Sequence, residues 1–420
     1  MLRIGIIGMG GFAQSHHKVC LELEREGLCR VVSACDPHLE NFATEQEQFS
    51  FRERGVQTFT DYREMLDACQ DSLDVVTVPT PVPLHASMHR ACVERGIACY
   101  LEKPPTLNVA ELEEMLAVEA GASKSTQVGF NFIVEEPRQA LKARILSGEF
   151  GAVETVGFWG LWPRLTTYFT RAEWAGRLEM DGKLVLDSCS GNGLSHHVHN
   201  VHFWCGQREV LDWEEIVTME AEMYRAHDIE GMDTVFASGG CANGIGVQMV
   251  LSHACAGPHR HKEWIACEKA VLSYHTGADF RIDWEDGRRE RGATDRRDLL
   301  KENLRDYFAY VQGEKPQPLN RLQDTRPFVR GYNLTYLAAK RITTVSEPYV
   351  LRSANSNGPG EFVAIQDIDD ATEAFISTGQ FPSEHNFGWA RPGSKATLED
   401  LPHLPETIAA MVAARGEERL

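Results

Sequence analysis

Nowhere in the 420 residues is there a stretch of about 18 consecutive apolar side chains, so the sequence offers no membrane-spanning helix. Basic residues are scarce, 42 Lys and Arg against 61 Asp and Glu. The resulting net charge of −19 excludes a protein built to hold a nucleic-acid backbone. The 11 cysteines include no C-x-x-C pair, and an odd, scattered set lacks the spacing of a disulfide framework. They read as reduced thiols, mostly small core residues, in a cytoplasmic protein. There is no internal repeat and no low-complexity tract, and the first residues form no cleavable apolar segment, so no signal peptide is expected. What is present is 43% hydrophobic side chains, enough for a large core and two domains.

The chain opens on the apolar run Leu2-Arg3-Ile4-Gly5-Ile6-Ile7, followed at once by Gly8-Met9-Gly10-Gly11-Phe12-Ala13. A short strand entering G-x-G-x-x-A and then a helix is what a dinucleotide-binding βαβ unit requires. Gly8 makes the tight turn, Gly10 lets the backbone approach a pyrophosphate, and Ala13 lets helix and strand pack closely. The helix N-terminus adds free N–H groups and partial positive charge, and Met9, Gly11 and Phe12 complete the cofactor-binding loop. A second apolar run, residues 30–35, ends in Asp36, near the distance expected for a carboxylate that bonds the adenosine ribose. It would repel a 2′-phosphate, and Pro37-His38-Leu39-Glu40 supplies no Arg or Lys to hold one. NAD is therefore expected over NADP. The plain alternative is a strand-end Asp that caps a helix.

Up to about residue 125, strand-like runs at 3–7, 30–36, 74–78 and 97–101 alternate with helical stretches, which predicts a doubly wound parallel sheet, an α/β Rossmann domain. From about 150 the pattern changes. Runs at 153–162, 215–225, 232–238, 244–251, 262–267 and 270–284 follow one another with few helices between them. They predict an α+β domain with a predominantly antiparallel open sheet. Residues 296–312 and 322–345 read as helical. The expected organisation is 1–125 for the NAD-binding domain, 126–350 for a substrate and oligomerisation domain, and 351–420 for an extension packing on the body.

The fourth strand leads to Thr80-Pro81-Val82-Pro83-Leu84-His85, and the fifth to Glu102-Lys103-Pro104-Pro105. Ligands of doubly wound sheets lie outside the carboxyl ends of strands, so Thr80, Pro81, His85, Glu102 and Lys103 are expected to border the cofactor. A Gly-rich first turn, then T-P-x-x-x-H, then E-K-P after strand five resembles the glucose–fructose oxidoreductase/inositol dehydrogenase (Gfo/Idh/MocA) family, over roughly residues 1–345. The resemblance implies that Lys103 lies beside the nicotinamide ribose and the substrate hydroxyl, and that Pro104 is a cis proline. It also implies a sugar, inositol or related polyol as substrate.

A second segment runs from Leu186-Asp187 through Asn192-Gly193-Leu194-Ser195-His196-His197-Val198-His199-Asn200 to Cys205-Gly206. Counting back from Gly206, His196 falls on the family's catalytic histidine and His199 on its second acid. Asp187 matches the family's first Asp only with about five residues inserted. Asn192, His196 and Asn200 instead suggest a branch in which Asn replaces acids, with His199 and Asn200 on the His196 side of one helix. A neutral imidazole suits removal of a hydroxyl proton while hydride passes to the nicotinamide, and Lys103 suits stabilisation of the alkoxide. Candidate substrate contacts are Asn131, Arg164, Tyr168, Trp174, Asp187, Asn192, His199 and Asn200. The aromatic and basic stretch fits a polyhydroxylated ring, and equally a sandwich core.

Histidines 196, 197, 199 and 202 lack the i, i+4 spacing of a zinc helix, so no metal is expected. His253, His259 and His261 read as a loop or cleft-facing edge. Two other functions remain open: a glycoside hydrolase that uses tightly held NAD, and a cofactor or sugar sensor without turnover. An open sheet face favours a homodimer or homotetramer.

Overall fold

Burial on both faces explains why the first strands are nearly continuous in apolar residues. The computed structural model describes residues Met1–Glu418. Strands β1 (Leu2–Ile7), β2 (Cys29–Cys35), β3 (Gln57–Phe59), β4 (Val75–Val78), β5 (Ala98–Leu101) and β6 (Gln127–Val128) form a parallel sheet in the order β3-β2-β1-β4-β5-β6. The chain order reverses between β1 and β4, the point at which doubly wound sheets bind ligands. Helix α1 (Ala13–Arg25) packs back on β2. The edge strand β3 had no apolar run to announce it, since Gln57 and Thr58 are exposed.

This sheet belongs to a compact unit made of residues 1–106, 110–135 and 296–326. The unit therefore reaches past the sequence boundary at 125 and reclaims a helix, Leu299–Val311, from the far side of the chain. The reason is apolar periodicity. Leu300, Leu304, Tyr307 and Phe308 complete the core formed by Leu23, Val31 and Tyr100.

The second unit holds residues 107–109, 136–295 and 327 onwards. Its sheet runs, from one edge, through Arg289–Ala293, Asp279–Trp284, Ala270–Tyr274, Arg260–Cys267, Val153–Leu161, Gly246–Ser252, Thr234–Cys241 and Ile216–Arg225. Ile342–Thr344 and Ser394–Thr397 both pair along the last of these. Two pairings are parallel, Val153–Leu161 with Gly246–Ser252 and Ile216–Arg225 with Ile342–Thr344, and the others are antiparallel. Residues 270–284 form a hairpin rather than one strand, turning at His275–Ala278. The helical run expected to reach 345 stops at Ala339, and residues 342–344 join the sheet instead.

Alternation divides this sheet into two faces. Phe158 stacks on His197 of helix α2 (Ser195–Cys205). The next residues out of phase, Leu161, Phe236 and Val250, pack with Ile365, Ile368, Phe375 and Trp389 from the C-terminal extension. Part of the face expected to lie open is therefore covered by the chain itself.

Candidate functional site

The turn after β1 is shaped by glycine. Gly8 takes φ 117°, and its N–H donates to the Cys35 carbonyl at 2.7 Å. A Cβ at Gly8 would meet the Ala13 Cβ at 3.2 Å, the close approach expected of G-x-G-x-x-A. Gly11 takes φ 56°, with open space where a Cβ would stand. The backbone N–H groups of Gly10, Gly11 and Phe12 have no acceptor among the described residues. Three free amides before the first turn of α1 form an anion cradle that fits a pyrophosphate. Met9 is buried, and Phe12 is 51% exposed.

Asp36 follows β2 beside that cradle, half-buried. Its Oδ2 accepts from the Met9 N–H at 2.9 Å and its Oδ1 from the His38 N–H at 3.0 Å. The carboxylate thus braces the loop and leaves lone pairs for further donors. His38 and Glu40 are exposed and lie 3.9 Å apart, with no guanidinium between them.

Thr80 and Pro81 follow β4, and Glu102 and Lys103 follow β5, on the same side of the sheet as the cradle. His85 is fully buried. Its Nδ1 lies 2.8 Å from the Pro104 carbonyl and its Nε2 2.8 Å from the Thr80 carbonyl. It ties two loops together and has no ring nitrogen left for a ligand, which corrects its expected part in direct cofactor contact. Glu102 is buried, 3.0 Å from His16 Nε2, and accepts from the Lys103 N–H at 3.1 Å. The Lys103–Pro104 peptide is cis, as the resemblance implied. Asn131 lies in this same unit, where its Oδ1 accepts from the Tyr100 hydroxyl at 2.8 Å.

In the second unit a π-helical turn, Cys189–Gly193, leads into α2. Ser188 caps it by accepting from the Gly191 N–H at 2.9 Å. Asp187 is buried. It accepts from the Gly176 N–H at 2.7 Å and from Asn192 Nδ2 at 3.0 Å, so the two expected polar residues form one pair. His196 stands half-buried in the first turn of α2.

The rest of α2 departs from expectation. His199 is fully buried beside Trp213, with ring centroids 5.3 Å apart, and near Phe328 at 6.4 Å. Asn200 is also buried, and its Nδ2 donates to Glu263 Oε1 at 2.8 Å. These two residues are packing and network groups, not a substrate-facing extension of His196. Glu263, which sequence reading missed, also takes His197 Nδ1 at 2.8 Å, Trp204 Nε1 at 2.7 Å and Arg138 Nη1 at 2.6 Å. Burial would raise its pKa, but the Arg138 charge and the His197 bond hold the carboxyl well below its usual range. Residues 197, 200 and 204 lie one or two turns apart, a signal that could have pointed to one shared partner.

Beyond Val153–Leu161 the chain carries the aromatic and basic stretch. Arg164 lies over Tyr168 and Arg171 over both Tyr168 and Trp174. Trp162 stacks on His259 at 4.9 Å. Among the described residues no group of three or more His, Cys, Asp or Glu is placed to hold a metal ion. No helix among them is long and apolar enough to cross a membrane.

The glycine cradle, α1 and Asp36 at the switch point of a parallel sheet define a dinucleotide-binding unit of the Rossmann class. Residues 2–130, less than half of the chain, match the family model described as "Oxidoreductase family, NAD-binding Rossmann fold". An inositol 2-dehydrogenase from Rhodococcus jostii is 32% identical over 154 residues, 36% of this chain and 40% of that protein. An alpha-N-acetylgalactosaminidase from Shewanella oneidensis is 28% identical over 162 residues, 36% of this chain and 34% of that protein. The matched segment thus spans about two fifths or less of these relatives. Among solved structures, the WlbA dehydrogenase from Bordetella pertussis, in complex with NADH and UDP-GlcNAcA, superposes with a TM-score of 0.64 at 20% identity. That match covers 81% of this chain and 96% of that one. A myo-inositol 2-dehydrogenase from Lactobacillus plantarum gives 0.62 at 17% identity, covering 80% and 96%. These structures share the fold.

Proposed function

We propose that the chain is an NAD-dependent oxidoreductase acting on a secondary alcohol carbon of a sugar, inositol or related polyol. The observation that carries this reading is the cradle of three free loop amides beside Asp36, inside the segment matched by the NAD-binding family model. When bound, NAD supplies the hydride acceptor or donor.

The chain's own residues do the rest. Gly10, Gly11 and Phe12 donate to the pyrophosphate, and Asp36 accepts from the ribose hydroxyls while repelling a 2′-phosphate. Thr80, Pro81, Glu102 and Lys103 border the nicotinamide half from the ends of β4 and β5. His196 takes the hydroxyl proton as general base, and the Lys103 ammonium stabilises the developing alkoxide. Asp187 and Asn192, with Arg164, Tyr168 and Trp174, contact the substrate hydroxyls and ring. The eleven free, buried cysteines support a reducing, cytoplasmic setting, and a homo-oligomer is proposed with it.

A panel of sugars and polyols with NAD, and with NADP beside it, tests the reading through NADH absorbance. Formation of NADH from at least one of them is the expected result. A second reading is favoured by the match to the alpha-N-acetylgalactosaminidase: glycoside cleavage with NAD used transiently. Sugar release without net NADH would establish it over the first.

A further inference from the structure

We propose that the substrate carries an anionic group, a carboxylate or a phosphate, and that Arg164 and Arg171 hold it. The proposal deepens the oxidoreductase reading by naming the substrate class, and the site itself stands on the second unit's own geometry.

Two guanidinium groups share one aromatic ring. Arg164 Cζ lies 4.9 Å from the Tyr168 ring centroid and Arg171 Cζ 3.8 Å from it. Arg171 lies also 4.7 Å from the Trp174 ring and Arg164 5.8 Å from the Trp162 ring. Arg171 has a partial counter-charge, since Asp187 lies 3.9 Å from its Nη2. That carboxylate is already committed to Gly176 and Asn192. Arg164 has none. Its side-chain polar contacts are to His259 Nε2 at 3.3 Å and to the Tyr168 hydroxyl, and no carboxylate among the described residues lies within ion-pair distance. A half-buried guanidinium without a counter-charge is costly, and its planar fork matches the oxygens of a carboxylate or phosphate.

The position is also built. The Arg164 N–H donates to the His253 carbonyl at 3.2 Å, and its own carbonyl lies 3.2 Å from His227 Nε2. His227 is held in turn by Asp233 at 2.8 Å. The C-terminal extension braces the same loop. Leu165 bridges to Phe362, and the Glu361 N–H donates to Thr166 Oγ1 at 3.2 Å. Four fixed anchors around one uncompensated cation are more than a solvated surface arginine needs.

The test is calorimetric titration of the full chain, with NADH present, against D-glucose, D-glucuronate, D-glucose 6-phosphate and the corresponding galactose series. At least one anion should bind about tenfold or more tightly than its neutral parent, and which arm responds separates carboxylate from phosphate. Arg164→Gln should abolish that preference, and Arg164→Lys should restore part of it. Arg171→Gln should weaken it with little change in melting temperature. Equal binding of neutral parents, no binding of any anion, or a preference that survives Arg164→Gln would overturn the proposal. NADH affinity and turnover are read separately. Anion preference without turnover of any sugar would sink the oxidoreductase reading and leave this one standing. Turnover of neutral polyols without anion preference would do the reverse.

Discussion

Asp36 joins the two halves of the cofactor argument in one side chain, because it braces the Met9 amide and remains half-exposed beside the cradle. Replacing it with Ser and His38 with Arg removes the repulsive carboxylate and adds a phosphate partner. The ratio of kcat/KM for NADP to that for NAD should rise, and an unchanged ratio would remove Asp36 from the ribose. In the proposed reaction His196 serves the chemistry and not the adenosine. His196→Ala should lower kcat by about 10²–10⁴-fold with NADH affinity unchanged, measured by steady-state kinetics and NADH fluorescence. Near-normal kcat would move the base elsewhere. At this scale the glycine turn was legible because its conformation follows from local backbone geometry, and Asp36 from its motif spacing, although the Met9 amide it braces lies 27 residues away. His85 was read as a ligand contact because its motif places it near the cofactor. The loop carbonyls that occupy both its nitrogens come from residues 80 and 104, and no local pattern announces them.

Helix α2 shows what an element hides. Its histidines looked like one functional face, yet His197, Asn200 and Trp204 converge on Glu263, while His199 turns to Trp213. The Lys142 ammonium holds the other end, with Nζ against the carbonyls of Phe203 and Gly206 and 3.4 Å from that of Trp204, and burial pulls its pKa down to about 7. Glu263→Gln leaves Arg138 buried beside a neutral group. Unfolding free energy from urea titration should fall by about 3–5 kcal/mol. A loss below about 1 kcal/mol would mean that the network is not anchored on this carboxylate. Most strands of the second sheet were recognisable from apolar, β-branched runs, and residues 289–293, 342–344 and 394–397 were not. Three residues that continue a helical pattern become strand only because Met223–Arg225 offer them an edge.

For the whole molecule, buried histidines set the response to acid. His17, His89 and His202 have pKa values lowered by burial to about 4, and His253 to about 3. In the unfolded chain they return to about 6.5, so between these values the unfolded state binds more protons. Their stability contribution is complete above about pH 6.5 and is lost as pH falls towards 4. Melting temperature by calorimetry should therefore drop steeply across that window, and a flat profile from 6.5 to 4.5 would contradict the burial of these rings. The C-terminal extension acts at this scale as well. Phe375 and Trp389 cover the sheet face carrying Phe236, which weakens the open-face argument for an oligomer.

The sequence by itself determined the Rossmann unit, the cradle, Asp36 and the change to an antiparallel sheet near residue 150. The glycine turn and the strand runs depend on residues a few positions apart or on a strand's own period, and Asp36 on a fixed motif spacing. The tertiary structure decided what depends on distant partners. It returned residues 296–326 to the first unit, set Glu263 under α2, and braced the loop of Arg164 with residues 361 and 362. Burial and counter-charge are properties of the space around a side chain, and residues far apart in the chain fill that space.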